Sequence, residues 1–157
     1  MPSVSGVAWV PPTTVTQELI IDFLRAERGK HRDHAFVHPK AVERCCRSGK
    51  AWRAETPSGE TVGVALGSKR TLWNLIVRED YRGQGLGTQF LNAVRPMNVR
   101  VKRSTDPHIP DPLPFYERNG YWVLGEVRSK SVHGKVTKYG RVLLVSRVQL
   151  PLEWSPE

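Results

Sequence analysis

The sequence has few cysteines, fewer acidic than basic side chains, and no long apolar run. Its two cysteines, Cys45 and Cys46, are adjacent, and such neighbours are too strained to form a disulfide framework. We therefore expect two reduced thiols on a short helix, at least one of them buried, and a cytoplasmic location. A lone Cys-Cys pair also lacks the ligand spacing of a zinc site, so no metal is expected. No apolar stretch approaches the roughly 20 residues that cross a bilayer, and we expect neither a membrane span nor a signal peptide.

The sequence does contain enough apolar residues for one core, together with a surplus of positive charge. The chain has 157 residues, 39% of them hydrophobic and 25% charged, a balance that excludes collagen, coiled coil and wholesale disorder. At this length a single domain, residues 1–157, is expected. Lys and Arg number 24 against 15 Asp and Glu, a formal net charge of +9. Such a surplus predicts a polyanionic partner: phosphates, nucleic acid or an anionic cofactor.

The hydrophobic pattern predicts helices and strands in mixed order, and hence an α/β fold. The predicted helices are 13–28, 39–47, 86–95 and 112–119. The predicted strands are 51–56, 60–66, 71–77, 98–102, 121–127 and 141–150. Residues 1–12 form either an edge strand or a loose arm. A sandwich of helices around one sheet follows, with Trp52, Trp73 and Trp122 mostly in the core.

A glycine-rich loop between the apolar strand 71–77 and the following helix is the most informative segment. It reads Arg82-Gly83-Gln84-Gly85-Leu86-Gly87-Thr88. Glycines let the backbone turn tightly and approach a ligand, and the free N–H groups of a helix start carry partial positive charge. The loop therefore predicts a binding site for a phosphate or pyrophosphate, with the positive charge of Arg82 at its entrance. The Gly-Lys-Ser/Thr of a P-loop is absent, and the G-x-G-x-G spacing differs from the G-x-G-x-x-G of Rossmann folds.

This loop resembles the acetyl-CoA loop of the GNAT (Gcn5-related N-acetyltransferase) superfamily, whose signature is R/Q-x-x-G-x-G/A. Downstream, residues 114–121, Pro-Phe-Tyr-Glu-Arg-Asn-Gly-Tyr, are similar to the family's F-Y-x-x-x-G-F/Y segment. Residues 61–65, Thr-Val-Gly-Val-Ala, look like the family's third strand. The resemblance covers about residues 13–150. It implies the GNAT fold: a mixed, mostly antiparallel central sheet of six to seven strands, about four flanking helices, and splayed strands 4 and 5.

The resemblance also implies an acetyl-CoA-dependent N-acyltransferase, in which an amine attacks the thioester directly in a ternary complex. Backbone groups of Ile76 and Val77 would hold the pantetheine arm and polarise the acyl carbonyl, and residues 82–88 would hold the pyrophosphate. Tyr116 matches the family's general-acid tyrosine, since a phenol with a pKa of about 10 can protonate a leaving thiolate. A tyrosine that only packs against the cofactor is the alternative.

The sequence departs from the family pattern at the general base. Where many members carry Glu on the fourth strand, this chain has Thr71 and Trp73, neither of which accepts a proton. Asp106 and His108 follow the fifth strand of the family pattern and are the candidate bases, because imidazole titrates near neutral pH. Asp-Pro dipeptides are also common in turns and helix caps, so Asp106 and Asp111 have that second interpretation.

The same resemblance places two further residues near the acceptor. His34 lies in the region that forms one wall of the family's acceptor site. Trp73 falls where other members place a substrate-facing residue, and an aromatic ring there could stack on a ring or nucleobase.

Positive charge is concentrated in residues 128–147, which contain six Lys or Arg and no acidic residue. This segment is either a solvated basic hairpin or a surface for nucleic acid. Three functions therefore stay open. They are an N-acetyltransferase for a small-molecule or protein amine, a nucleic-acid base modifier like the Mom-like GNAT-related proteins of phages, and a GNAT-like binding module without activity. Both a monomer and a homodimer fit the family.

Overall fold

The computed structural model contains two compact units, Met1–Pro96 and Met97–Glu157. The residues that the structure describes are 4–11, 16–28, 37–68, 70–103, 111–127 and 142–147. These ranges contain seven β-strands and four α-helices, so the predicted α/β class is confirmed.

The first unit combines four antiparallel strands with three α-helices. Its strands, paired in chain order, are β1 (Ala8–Val10), β2 (Ala51–Glu55), β3 (Thr61–Ser68) and β4 (Thr71–Val77). Its helices are α1 (Thr16–Arg28), α2 (Pro39–Arg47) and α3 (Leu86–Val94). Of the two interpretations of the N-terminal segment, the edge strand is the observed one, because β1 pairs with β2.

Helices α1 and α2 cover one face of these strands because their apolar residues recur at helical spacing. The buried members of this cluster are Ile20, Phe23, Leu24, Val42, Cys45, Ala51, Val64, Leu66 and Ile76. Full burial of one large aliphatic or aromatic side chain contributes roughly 1.5–3 kcal/mol. The cluster therefore anchors the strands that lead into the glycine-rich loop.

A second apolar cluster lies beneath the start of α3. Its buried members are Val7, Ala54, Val62, Tyr81 and Leu86, with Trp9 and Val77 partly buried beside them. Because Tyr81 precedes the glycine-rich loop and Leu86 lies within it, their burial fixes the loop to the sheet at two points.

The described residues of the second unit form three antiparallel strands and one short helix. Its elements are β5 (Asn98–Lys102), α4 (Leu113–Arg118), β6 (Trp122–Val127) and β7 (Val142–Ser146). Strand β7 pairs with both β5 and β6. Among the described residues of this unit, the buried apolar side chains are Val99, Val101, Tyr116, Tyr121, Val142, Leu143 and Val145.

One predicted core residue of this unit is exposed. Trp122 keeps 48% of its surface accessible, and Val123 and Leu124 are similarly exposed. The core prediction for Trp122 is therefore wrong. Strand β6 also has a register shift between Val123 and Gly125, and its residues do not alternate between a buried and an exposed face.

Candidate active site

The glycine-rich loop joins β4 to α3 through a short 3₁₀ turn, Glu79–Tyr81. Gly83 and Gly85 have left-handed backbone conformations, with φ of +72° and +86°. A Cβ added at either glycine would meet no atom within 4 Å. The backbone conformation therefore requires glycine at these positions, and the space around them is open to a ligand.

The first turn of α3 suits an anion. Its N-cap is Gly85, which has no side-chain oxygen, and the turn contains no acidic residue. The first N–H groups of a helix have no partner within the helix, and here no described side chain caps them. These N–H groups and the helix dipole together favour a bound phosphate.

Two side chains hold the loop in shape. Arg82 Nε donates to the carbonyl of Val77 at 2.9 Å, and Gln84 Nε2 donates to the carbonyl of Asp80 at 3.3 Å. The Arg82 side chain therefore turns back towards the end of β4. Its guanidinium still brings a full positive charge beside the loop.

Arg78, just before the loop, is held by two carboxylates. It binds Asp80 through two bonds, Nε–Oδ1 at 2.7 Å and Nη2–Oδ2 at 2.9 Å. It also pairs with Glu60 and lies over the Tyr81 ring, 5.1 Å from its centroid. The bonds to Asp80 and then to Glu60 raise the pKa of Arg78 above its ordinary value. Its charge is balanced locally, whereas no described carboxylate pairs with Arg82.

The ladder between β3 and β4 distinguishes Ile76 from Val77, the two residues expected to hold the pantetheine arm. The N–H of Arg78 donates to the carbonyl of Val62 at 2.8 Å, and Ile76 lies opposite Val64 in the same register. Hydrogen-bonded pairs alternate along an antiparallel ladder. The backbone groups of Ile76 therefore face β3, and those of Val77 face away from it. The Val77 carbonyl accepts from Arg82, and the Val77 N–H is the other backbone group on the side of β4 that faces away from β3.

Tyr116, the predicted general acid, lies on α4 and is buried. Its ring makes edge-on contacts with Phe115, at a centroid distance of 5.0 Å, and with Tyr121, at 6.0 Å. Burial, and secondarily electrostatic interaction with Tyr121, raises the pKa of Tyr116 well above its usual value. The phenol is therefore protonated at neutral pH and can serve as a hydrogen-bond donor.

An ion pair ties α4 to the end of β5. Asp111 binds Arg103 through two bonds, to Nε at 2.9 Å and to Nη2 at 2.7 Å. Oδ1 of Asp111 also accepts from the N–H of Leu113 at 3.2 Å, two residues on, which is the turn role that its Asp-Pro context suggested. At the other end of α4, Asn119 Nδ2 donates to the carbonyl of Phe115 at 2.8 Å. Both ends of the helix that carries Tyr116 are thus held.

The other predicted site residues are only partly covered by the structure. Trp73 packs, partly buried, against the cluster beneath α1 and α2. Asp106, His108 and His34, and the basic residues 128–141, lie outside the described residues. Within the described ranges, no three His, Cys, Asp or Glu side chains are placed to share a metal ion, and no helix has the length and hydropathy of a membrane span.

The two cysteines are free thiols. Cys45 is buried and Cys46 partly buried on α2. Burial raises the pKa of both thiols, so neither is activated as a nucleophile.

Sequence reasoning missed two residues that shape the site, Trp9 and Arg103. Trp9 Nε1 donates to the carbonyl of Leu86, the first residue of α3, at 2.9 Å. No sequence signal connects residues so far apart. The ion pair of Arg103 had a weak signal, since opposite charges at 103 and 111 flank a proline-rich segment.

An apolar strand, an uncapped glycine-rich helix start and a later buried tyrosine on a short helix are elements of the GNAT fold. The model of the family described as "Acetyltransferase (GNAT) domain" matches residues 47–123, from the end of α2 into β6. Residues 47–123 therefore form a GNAT acetyltransferase domain, and the family predicted from the two sequence motifs is confirmed. No curated protein matches the chain in sequence.

Solved structures similar to this chain are GNAT proteins as well. Arabidopsis thaliana Naa50, in complex with the bisubstrate analogue CoA-Ac-MVNAL, has a TM-score of 0.65 at 15% identity over 92% of this chain and 99% of its own. A histone acetyltransferase HPA2 and related acetyltransferase from Corynebacterium glutamicum has a TM-score of 0.61 at 18% identity, with 94% and 99% covered. An aminoglycoside 6'-N-acetyltransferase complexed with coenzyme A has a TM-score of 0.59 at 16% identity, with 92% and 99% covered. These likenesses show the GNAT fold.

Proposed function

We propose that this chain is an acetyl-CoA-dependent N-acetyltransferase whose acceptor amine attacks the thioester directly in a ternary complex. The observation that carries the proposal is the start of α3, which is shaped by glycine, uncapped, and free of acidic side chains in its first turn. Two structurally similar proteins, Naa50 and the aminoglycoside 6'-N-acetyltransferase, were solved with a CoA analogue and with CoA, which supports the same cofactor here.

The pyrophosphate of acetyl-CoA would bind the backbone N–H groups between Gly83 and Thr88. Arg82 would add a full positive charge beside them. Arg78 would contribute little direct attraction, because Asp80 and Glu60 already balance its charge. The proposal thus assigns cofactor binding mainly to the loop backbone, as expected for a glycine-rich helix start.

The acyl end of the cofactor would meet β4 on the side that faces away from β3. The backbone groups of Ile76 pair with β3, and its side chain supports the strand from the core. Val77 would make the polar contact with the cofactor. An N–H fixed in a strand before the reaction is a suitable oxyanion donor, because it needs no reorganisation as charge develops on the carbonyl oxygen.

Tyr116 would act on the leaving group. Attack of the amine on the carbonyl carbon gives a tetrahedral intermediate, whose collapse breaks the C–S bond and releases the CoA thiolate. A free thiol has a pKa of about 8.5, below that of a buried phenol. Tyr116 would therefore stabilise the developing thiolate first as a hydrogen-bond donor. Its proton would pass to sulfur as the amine loses its own proton to a base, and the phenol would then be reprotonated through solvent.

The acceptor side is assigned from the sequence: the base from residues after the fifth strand, and the acceptor wall from the family resemblance. Asp106 or His108 would take the amine proton, and His34 and Trp73 would line the acceptor. A nucleic-acid acceptor is the second candidate, favoured by the six basic and no acidic residues of segment 128–147. Its affinity would fall steeply with salt, because phosphate binding releases counterions. A mobility-shift titration with DNA measures this, and the absence of a shift at low salt removes the candidate.

The proposed function is tested at Gly85. Gly85→Ala places a Cβ in open space but at φ +86°, where an L-residue is strained by roughly 1–2 kcal/mol. The helix start must then shift, and we expect the affinity for acetyl-CoA to fall about tenfold, measured by isothermal titration calorimetry. Wild-type protein that binds no acetyl-CoA, or releases no thiol with any of a panel of amines, would contradict the proposal.

Gly49→Ala is the matched control. Gly49 has φ +74° and equally open surroundings, and it follows α2 rather than the loop. Both variants should therefore lose similar thermal stability, and only Gly85→Ala should lose affinity. Equal losses of affinity would mean that the loop has no special role.

A further inference from the structure

We infer that Trp9 is a positioning residue for the cofactor loop, acting from a strand that lies outside the matched domain; this inference rests on the proposed function. Its indole Nε1 donates to the carbonyl of Leu86 at 2.9 Å, across 77 positions of sequence. Leu86 is the first residue of α3 and is buried. A residue of β1 is thus bonded to the turn that would bind the pyrophosphate.

The consequence of this bond lies in the peptide unit between Leu86 and Gly87. The carbonyl of Leu86 and the N–H of Gly87 belong to the same planar group, so a hydrogen bond to one fixes the direction of the other. The N–H of Gly87 is one of the first-turn donors that have no partner within the helix. Donation from Trp9 to the carbonyl also polarises the peptide and strengthens its N–H as a donor to an anion.

The sheet has room for this indole because two neighbouring residues are small. Trp9 lies opposite Ala54 in the ladder between β1 and β2. A Cβ added to Gly63 would lie 3.0 Å from Cη2 of Trp9 and 3.1 Å from Cβ of Ala54. Glycine at 63 therefore makes space for the Trp9 ring, which explains a glycine in the middle of a buried strand.

Trp52, on strand β2, can be compared with Trp9 because both tryptophans contact the same helix. The fully buried ring of Phe90 in α3 packs against Trp9, at a centroid distance of 4.9 Å, and against Trp52, at 5.3 Å. Both tryptophans support the body of the helix. Of the two, Trp9 donates a side-chain hydrogen bond to the first turn of the helix. The contributions of packing and of hydrogen bonding can therefore be separated by making the same substitution at both tryptophans.

The experiment compares Trp9→Phe with Trp52→Phe in the full chain. Each variant keeps a ring against Phe90, and Trp9→Phe also removes the donor to Leu86. We expect Trp9→Phe to raise the Kd and KM for acetyl-CoA about three- to tenfold, as for the loss of one hydrogen bond, with kcat nearly unchanged. Trp52→Phe should leave Kd and KM within twofold of wild type. The amide signal of Gly87 in ¹⁵N-labelled protein should shift in Trp9→Phe and not in Trp52→Phe.

A second substitution keeps the test valid if phenylalanine at position 9 disturbs folding. A benzothiophene analogue of tryptophan, introduced at position 9, preserves the shape of the ring and replaces the N–H by sulfur. It should reproduce the loss of affinity at wild-type thermal stability.

The outcomes separate this inference from the proposed function. Wild-type protein without affinity for acetyl-CoA overturns the proposed function. Wild-type affinity with an unchanged Kd and an unchanged Gly87 signal in both position-9 variants overturns the role of Trp9 alone. Equal losses in Trp9→Phe and Trp52→Phe would assign the effect to packing on Phe90, and would also overturn it.

Discussion

The two units hold their functional groups by different kinds of interaction. In the first unit, the loop is fixed by the buried side chains of Tyr81 and Leu86 and by bonds from Arg82 and Trp9 to backbone carbonyls. In the second unit, the helix of Tyr116 is tied to β5 by an ion pair whose side chains are 39% and 33% exposed. Exposed charges are screened by salt, whereas buried apolar contacts are not. The position of the loop should therefore resist changes in salt and charge better than the position of the tyrosine helix.

The largest expected effect comes from removing the functional group of the second unit. Tyr116→Phe keeps the ring contacts with Phe115 and Tyr121 and removes only the hydroxyl. If Tyr116 donates the proton, kcat should fall on the order of 10²- to 10⁴-fold, while the Kd for acetyl-CoA stays nearly constant. Thiol release under saturating substrate and calorimetric titration measure the two quantities. Tyr121→Phe, at the neighbouring buried ring, is the control and should keep most of the turnover; unaltered turnover in Tyr116→Phe would remove it from the mechanism.

The pH dependence of the same group has a defined sign. Burial raises the pKa of Tyr116 in the folded protein above its unfolded value of about 10. The folded state then holds this proton more tightly. The stabilisation linked to the proton is therefore complete below pH 10 and is lost as the pH rises further. The Tyr116 contribution to the rate should accordingly be constant from neutral pH to about pH 10, and a decline below pH 9 that disappears in Tyr116→Phe would contradict the raised pKa.

Local sequence patterns predicted the bounds of several helices and strands, whereas contacts between residues distant in sequence could not be predicted. Residues 39–47, 71–77 and 98–102 have their predicted bounds, because a proline at a helix start, a continuous apolar run and alternation are each readable within a few residues. The turn at Asp111, closed by its bond to the N–H of Leu113, is equally local. The bond from Trp9 to Leu86 joins two residues that are far apart in the sequence, and no local sequence pattern predicts it.

The register between paired strands is a second feature that the sequence could not predict. Ile76 and Val77 are equivalent in sequence, and only the pairing of β4 with β3 decides which of them directs its backbone groups away from that neighbour. The register shift in β6, which follows the exposed Trp122, likewise cannot be seen in the composition of the strand.

A fall in activity of intermediate size is expected from breaking the ion pair between Asp111 and Arg103, which holds α4 to the end of β5. Asp111→Asn removes the charge and keeps an oxygen that can accept from the N–H of Leu113, so mainly the ion pair with Arg103 is lost. We expect a several-fold fall in kcat, an unchanged Kd for acetyl-CoA, and a coupling energy of about 0.2–1 kcal/mol between positions 103 and 111. A double-mutant cycle with Arg103→Met, run by chemical denaturation at low and high salt, measures that energy. A fall in acetyl-CoA affinity with unchanged kcat would contradict the assignment of this ion pair to the tyrosine helix.

The smallest effect is expected from the ion pairs of Arg78 with Asp80 and Glu60 in the first unit. Measuring this effect decides whether the two units are held by different kinds of interaction. Arg78→Met removes the ion pairs to Asp80 and Glu60, carboxylates that are about half exposed, so the free energy of unfolding should fall by no more than about 1 kcal/mol. The same change removes the positive charge of Arg78 from beside Asp80 and Glu60, just before the glycine-rich loop. Acetyl-CoA affinity should therefore drop a few-fold at low salt and recover at high salt. Adding Asp80→Asn and Glu60→Gln removes the two carboxylate charges and should restore affinity if Arg78 acts only as a counter-charge. If affinity stays low in the triple variant at every salt concentration, Arg78 shapes the loop directly, and the first unit depends on an ion pair as the second does.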